Sequence, residues 1–225
     1  MSSPAAAIWD VDGTLVDTAE LHFASWVQLA REIGKPFTRA DFRATFGRRN
    51  PEIIRALFDP AADDAKVAAL GDRKEVMYRS AAMAHGIALL PGVRSLLDGL
   101  RSADWRQAIG SSAPLANLDL ILSLTQTRDY FHAIVSMEDS KRGKPDPEVF
   151  LISAARLAVP PARCVVLEDA VAGVEAAKAG GMACVAVTSA GHHSSAALQA
   201  AGADRVVPSL ADLSAHDLAR LLADQ

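Results

Sequence analysis

The sequence predicts an α/β fold: a Rossmann-like parallel sheet with helices on both faces, plus an inserted all-α cap domain. Three observations carry that expectation. Short apolar runs ending in Gly, Asp, Glu or Ser alternate with segments of helical period through most of the chain. One such run, Ala5 to Trp9, stands apart from the others at the start. Between it and the rest, residues 19–88 contain no strand candidate. The core domain is therefore expected to comprise 1–18 and 89–225, with 19–88 as the insertion.

Taken in order, Ala5 to Trp9 reads as a buried strand, and Gly13 lets the backbone turn away behind it. Leu21, Ala24, Trp26, Val27, Leu29, Ala30 and Ile33 recur at helical spacing up to a stop at Gly34. Thr38 to Phe46 and Pro51 to Phe58 read as two further helices, the latter with proline in its first turn. Ala62 to His85 is a long polar helical stretch, with a break expected near Gly71. The alternation then begins. Helices are expected at Val93–Ser102, Leu115–Leu124, Glu148–Leu157, Ala172–Ala179, Ser194–Ala201 and Leu210–Leu222. Strands are expected at Gln107–Ser111, Ala133–Met137, Cys164–Leu167, Cys184–Thr188 and Arg205–Val207. Ser112 or Pro114 should set the start of the Leu115 helix.

With 225 residues, half of them hydrophobic, the chain can build one good core with a small insertion. A net charge of −4 with mixed signs argues against a nucleic-acid partner. No apolar run is long enough to span a bilayer, and the start lacks a basic region followed by a long apolar one. Cys164 and Cys184 sit in apolar runs, as small buried side chains rather than a disulfide or metal pair. A cytoplasmic enzyme or binding protein, monomeric and without a membrane partner, is the resulting expectation.

The chemistry gathers where strands end. Asp10 and Asp12 follow the first strand, Ser111 and Ser112 the second, and Glu168-Asp169 a later one, while Lys144 lies in a loop before a helix. In a parallel sheet these ends share one edge, where α/β folds bind ligands. Two acids as close as Asp10 and Asp12 repel each other unless a cation or shared proton intervenes, and a hard ion such as Mg²⁺ suits their oxygens. An Asp-Gly hairpin is the competing reading of that stretch. A calcium loop fails, because Leu15 and Leu21 occupy the positions that need Gly and Glu. Singly, Ser111, Glu168 and Asp169 could be helix caps and Lys144 a solvated charge; together they point to one site. No Ser-His-Asp arrangement and no Gly-rich phosphate loop accompanies them.

In sequence order, Asp10-Val11-Asp12-Gly13-Thr14, Ser111 within Ile109-Gly110-Ser111-Ser112, Lys144 within Gly143-Lys144-Pro145-Asp146-Pro147, and Glu168-Asp169 followed by Gly173 resemble the four motifs of the haloacid dehalogenase superfamily. The likeness covers nearly the whole chain, and the helical insertion is similar to the cap of its β-phosphoglucomutase and sugar-phosphatase branch. The resemblance implies a Mg²⁺-dependent phosphohydrolase acting on a small phosphorylated metabolite, with a sugar phosphate expected. It implies Asp10 as nucleophile, Asp12 as acid–base, and Lys144 and Ser111 as charge-stabilising and phosphoryl-binding groups. Asp10, the Asp12 backbone carbonyl, Glu168 and Asp169 would hold the metal. An acid at Asp12 separates the chain from the dehalogenases and phosphonatases of that superfamily.

The alternative is a sugar phosphomutase. Thr18-Ala19-Glu20-Leu21-His22-Phe23 resembles a mutase stretch in which the histidine assists the acid–base, although His22 also fits an ordinary helix position. In Phe46-Gly47-Arg48-Arg49-Asn50, the mutases compared carry lysine and arginine where Phe46 and Asn50 stand; Arg48 and Arg49 supply positive charge nearby. Lys74 within Arg73-Lys74-Glu75 resembles a substrate-facing lysine, and a solvated helix face is its plain alternative. Ser112, His22, Arg48, Arg49 and Lys74 are thus the candidate substrate-binding residues. A reading from another class, a non-catalytic phosphoryl-binding protein, is disfavoured by Asp12, which binding alone does not need. His192-His193 reads as surface loop rather than metal ligands, and Trp9 as packing beneath the sheet.

Overall fold

The computed structural model describes residues 4–45 and 47–224. The chain forms two compact units, Thr18–Ile87 on the one hand and Met1–Asp17 with Ala88–Gln225 on the other.

The larger unit holds six parallel strands: β1 (Ala6–Trp9), β2 (Arg106–Gly110), β3 (Ala133–Val135), β4 (Cys164–Glu168), β5 (Ala183–Val187) and β6 (Arg205–Val207). They lie in the order β3-β2-β1-β4-β5-β6, and every neighbouring pair is parallel. This is the Rossmann-like sheet the sequence predicts. β1 is central, and all four of its side chains are buried, as a strand covered on both faces requires. One face carries Ala6, Ile8, Cys164, Val166 and Cys184 beneath Phe150, Leu157, Val174 and Leu198. Its helices are α7 (Glu148–Leu157), α8 (Val171–Ala179) and α9 (Ser195–Ala200). α5 (Val93–Ser102) and α10 (Ala215–Ala223) serve the other face. There Trp9 is wholly buried and its Nε1 donates to Gln107 Oε1 at 3.1 Å, while Gln107 Nε2 donates to Leu97 O at 3.2 Å. The indole therefore packs under the sheet with its N–H satisfied. Cys164 and Cys184 are buried and free.

The smaller unit is all-helical: α1 (Ala19–Glu32), α2 (Arg39–Thr45), α3 (Asn50–Ile53) and α4 (Asp64–His85). Trp26, Phe42, Ile54, Phe58 and Met77 make its core. Three local expectations change. α4 does not break at Gly71, which is buried against the Asn50 side chain. α3 widens into a π-helical turn at Ile54–Phe58 instead of running straight. The last expected helix divides: Leu210–Asp212 is a 3₁₀ turn, and α10 starts afresh from a reciprocal Ser214–Asp217 capping box. Of the two residues expected to set the start of α6 (Leu115–Leu124), it is Pro114 that directly precedes the helix and not Ser112, and the Glu138 carboxylate accepts from Leu115 N at 3.0 Å. Phe46, expected at the end of α2, lies outside the described residues. No described helix is long and apolar enough to cross a membrane.

Candidate active site

β1 and β4 are neighbours, with β2 and β3 on one side and β5 and β6 on the other. Strand order reverses between them, and crevices for ligands open at such points, beyond the carboxyl ends of the strands. Asp10 follows β1, and its N–H donates to Leu167 O at 3.0 Å, which pins it beside β4. The chain then turns sharply. Gly13 takes φ +94° and donates to Val16 O at 2.7 Å, while Leu15 N donates to Val11 O at 2.9 Å. Asp12 is half-buried on this turn. The Asp-Gly hairpin read as a competitor is absent, since β1 is followed by helix and every pair of neighbouring strands is parallel.

Glu168 ends β4 and Asp169 follows it, both buried. Lys144 reaches in from the loop before α7, and its side chain is only 6% exposed. Its Nζ donates to Asp10 Oδ1 at 2.5 Å and to Glu168 Oε1 at 2.7 Å. The other Glu168 oxygen accepts from the N–H groups of Asp169 and Ala170, each at 2.7 Å. Lys144 is thus a buried bridge between two carboxylates, and not a solvated loop charge.

Three carboxylates against one ammonium leave the cluster short of positive charge. Burial, opposed by Lys144 and assisted by Glu168, raises the Asp10 carboxyl to about 7. Burial and the neighbouring Glu168 and Asp10 likewise lift Asp169 well above the carboxylate range. Burial would lower the Lys144 ammonium, but the two carboxylates prevail and hold it above its ordinary value. Ligand oxygens of Asp10, Glu168 and Asp169 lie within 4.8 Å of one another, and Asp169 Oδ2 is buried with no hydrogen-bond partner among the described residues. An orphaned carboxylate oxygen in an all-oxygen set fits a hard divalent cation. The Asp12 carboxylate is not in this set.

Two glycines make room. A Cβ on Gly13 would meet Asp169 Oδ2 at 2.1 Å, and one on Gly173 would meet Glu168 Oε1 at 1.7 Å. Ser111, at the end of β2, is buried; its N–H donates to Val135 O at 3.0 Å and its Oγ accepts from Ala113 N at 3.1 Å. Ser112 beside it is half-buried. Thr14, whose buried hydroxyl lacks a partner among the described residues, was not singled out by residue chemistry, because a threonine in a turn carries no charge signal. His192 is half-buried with Nε2 4.0 Å from Asp17 Oδ1, and burial lowers its proton affinity. It is not part of the carboxylate cluster.

In the helical unit, Lys74 is 2% exposed, which rules out the solvated helix face considered for it. Its Nζ lies 2.7 Å from His22 Nδ1 and 2.9 Å from Glu75 Oε1. His22 stacks on Tyr78 with ring centroids 4.1 Å apart. Arg48 is exposed and Arg49 half-buried. Glu75 also accepts from Asn50 Nδ2 at 2.7 Å. Its involvement went unpredicted because a Lys-Glu dipeptide on a polar helix reads as surface.

The haloacid dehalogenase-like hydrolase family model matches residues 4–181. A β-phosphoglucomutase from Bacillus subtilis is 35% identical over 189 residues, covering 81% of this chain and 82% of the relative. A phosphorylated carbohydrates phosphatase from Thermotoga maritima is 33% identical over 178 residues, covering 79% and 82%. The crystal structure of a β-phosphoglucomutase from Clostridium difficile superposes with a TM-score of 0.87 at 26% identity, covering 98% of both chains.

Proposed function

The chain belongs to the haloacid dehalogenase-like hydrolases, enzymes of the phosphatase and phosphomutase kind, and from that premise we propose that it is a Mg²⁺-dependent phosphatase of small sugar phosphates. The observation that carries the reading is the Lys144 bridge between Asp10 and Glu168 beside the unpartnered oxygen of Asp169.

In this reading an Asp10 carboxylate oxygen attacks phosphorus and the ester P–O bond breaks, leaving the phosphoryl group on Asp10. Asp12 gives its proton to the departing sugar oxygen. It then takes a proton from the water that cleaves the aspartyl-phosphate, which returns both carboxylates to their starting state. Lys144 neutralises charge on Asp10 and on the transferring group, and Ser111 offers a hydroxyl to a phosphoryl oxygen. Asp10, Glu168, Asp169 and the Asp12 carbonyl would hold Mg²⁺, which supplies charge neutralisation and keeps Asp10 ionised at neutral pH. The helical unit supplies substrate recognition through His22, Lys74, Arg48 and Arg49, with Ser112 beside Ser111 in the larger unit.

A phosphomutase is the second reading, favoured by the close Lys74–His22 contact. An assay with Mg²⁺ and a panel of sugar phosphates, including β-glucose 1-phosphate primed with its 1,6-bisphosphate, separates the two. Free phosphate without glucose 6-phosphate is expected; glucose 6-phosphate forming much faster than phosphate would replace the phosphatase with the mutase. Asp10→Asn should reduce either activity by more than ~10³-fold.

A further inference from the structure

Lys74 and Glu75 are consecutive residues of α4, so their side chains leave the helix about 100° apart and do not face each other by default. Both are nevertheless buried, and their charged ends meet at 2.9 Å. The meeting point has other occupants. Asn50, first residue of α3, donates from Nδ2 to the same Glu75 oxygen at 2.7 Å, and Lys74 Nζ lies 2.7 Å from His22 Nδ1. The Lys74 ammonium also sits over the rings of Trp26 at 5.3 Å and Tyr78 at 5.5 Å. An ammonium only donates, so His22 Nδ1 accepts, and the neutral ring carries its proton on Nε2. Asn50 directly follows Arg48-Arg49 in the chain. Glu75 therefore connects three elements: α4, the His22 ring on α1, and the arginine loop that enters α3.

We propose that Glu75 is a positioning residue that sets selectivity for the sugar leaving group, holding Lys74 on His22 and the Arg48–Arg49 loop through Asn50. Glu75 acts through those groups. A buried ammonium deprived of its carboxylate would lose its fixed place, and a loop deprived of its acceptor would lose its anchor. The inference rests on the phosphatase reading for its selectivity claim, while its structural core, the link from Glu75 to the His22 tautomer, stands apart from it.

The test uses the full chain with Glu75→Gln, which keeps an oxygen for Asn50 but removes the charge facing Lys74, and independently Asn50→Ala. Two readouts are taken. Imidazole ¹⁵N resonances should report the Nε2–H tautomer of His22 in the parent and its loss or averaging in Glu75→Gln. Steady-state kinetics should show kcat/KM for a sugar phosphate falling at least tenfold more than that for phenyl phosphate, chiefly through KM, with Asn50→Ala smaller in the same direction. Unaltered His22 resonances, or equal losses on both substrates that follow a lower melting temperature, would overturn the proposal. If the parent hydrolyses no phosphate ester, the phosphatase reading and the selectivity claim fall together, and the His22 resonances then decide only whether Glu75 positions the pair.

Discussion

Two buried lysines divide this molecule's polar chemistry between them. Lys144 joins Asp10 and Glu168 with Asp169 close by, and one cation faces three acids. Lys74 meets the Glu75 carboxylate, the His22 imidazole and the rings of Trp26 and Tyr78. The first cluster is electrically incomplete: Asp10 and Asp169 rise toward neutrality and one oxygen is orphaned. In the second, the ammonium has a carboxylate partner at 2.9 Å. Burial thus has opposite meanings in the two places. At the sheet edge it creates a demand for a cation; in the helical unit it holds side chains in one arrangement.

Removing each lysine in turn should separate the two clusters most strongly. Lys144→Met leaves Asp10 and Glu168 buried without their shared partner, and a loss of ~3–5 kcal/mol is expected in metal-free solution. Mg²⁺ should recover part of it, because binding to the folded state adds about 2.7 kcal/mol at a hundred times Kd. Lys74→Met should also destabilise, but Mg²⁺ should recover nothing beyond the parent's own gain. Thermal melts with EDTA or Mg²⁺ check both, and equal Mg²⁺ responses would mean that the two clusters do not differ in their demand for a cation.

A milder perturbation displaces one carboxylate. Gly173→Ala puts a methyl where Glu168 Oε1 stands, so the carboxylate must leave Lys144 and the amides of Asp169 and Ala170. The overpacking should cost ~1–3 kcal/mol and weaken Mg²⁺ binding, which calorimetric titration would read. Undiminished Mg²⁺ affinity would remove Glu168 from the cation site.

The smallest effect calibrates both clusters against a solvent-facing carboxylate. Bonds from Ser214 and Arg205 hold Asp217 down to about 2. Its native value lies below its unfolded one, so its stabilisation is present above the ordinary carboxylate value and is lost as pH falls from about 4 toward 2. Asp217→Asn should cost about 1 kcal/mol at pH 7, as for a lost helix cap, and the gap from the parent should close in acid. Urea titrations at pH 7 and pH 3 measure it.

Most of the sheet was legible because fully buried strands carry a plain signal: Ala6–Trp9, Cys164–Glu168 and Ala183–Val187 have no polar interruption before their ends. The carboxylates were legible because charge directly after such a run has no packing role. Weaker signals misled. Gly71 suggested a break that neighbouring packing makes unnecessary, and the Ser214-x-x-Asp217 box was passed over inside an apolar period.

The strand–helix alternation, the helical insertion and the acids at strand ends are written in local period and composition, so they can be read from the chain alone. Which charges are buried together emerges from the folded chain and not from local pattern. Residue type limits what a lysine can bond to, but whether it meets water, one carboxylate or two depends on elements brought from far along the chain. Lys144 and Asp10 are 134 residues apart, and Lys74 and His22 are 52 apart.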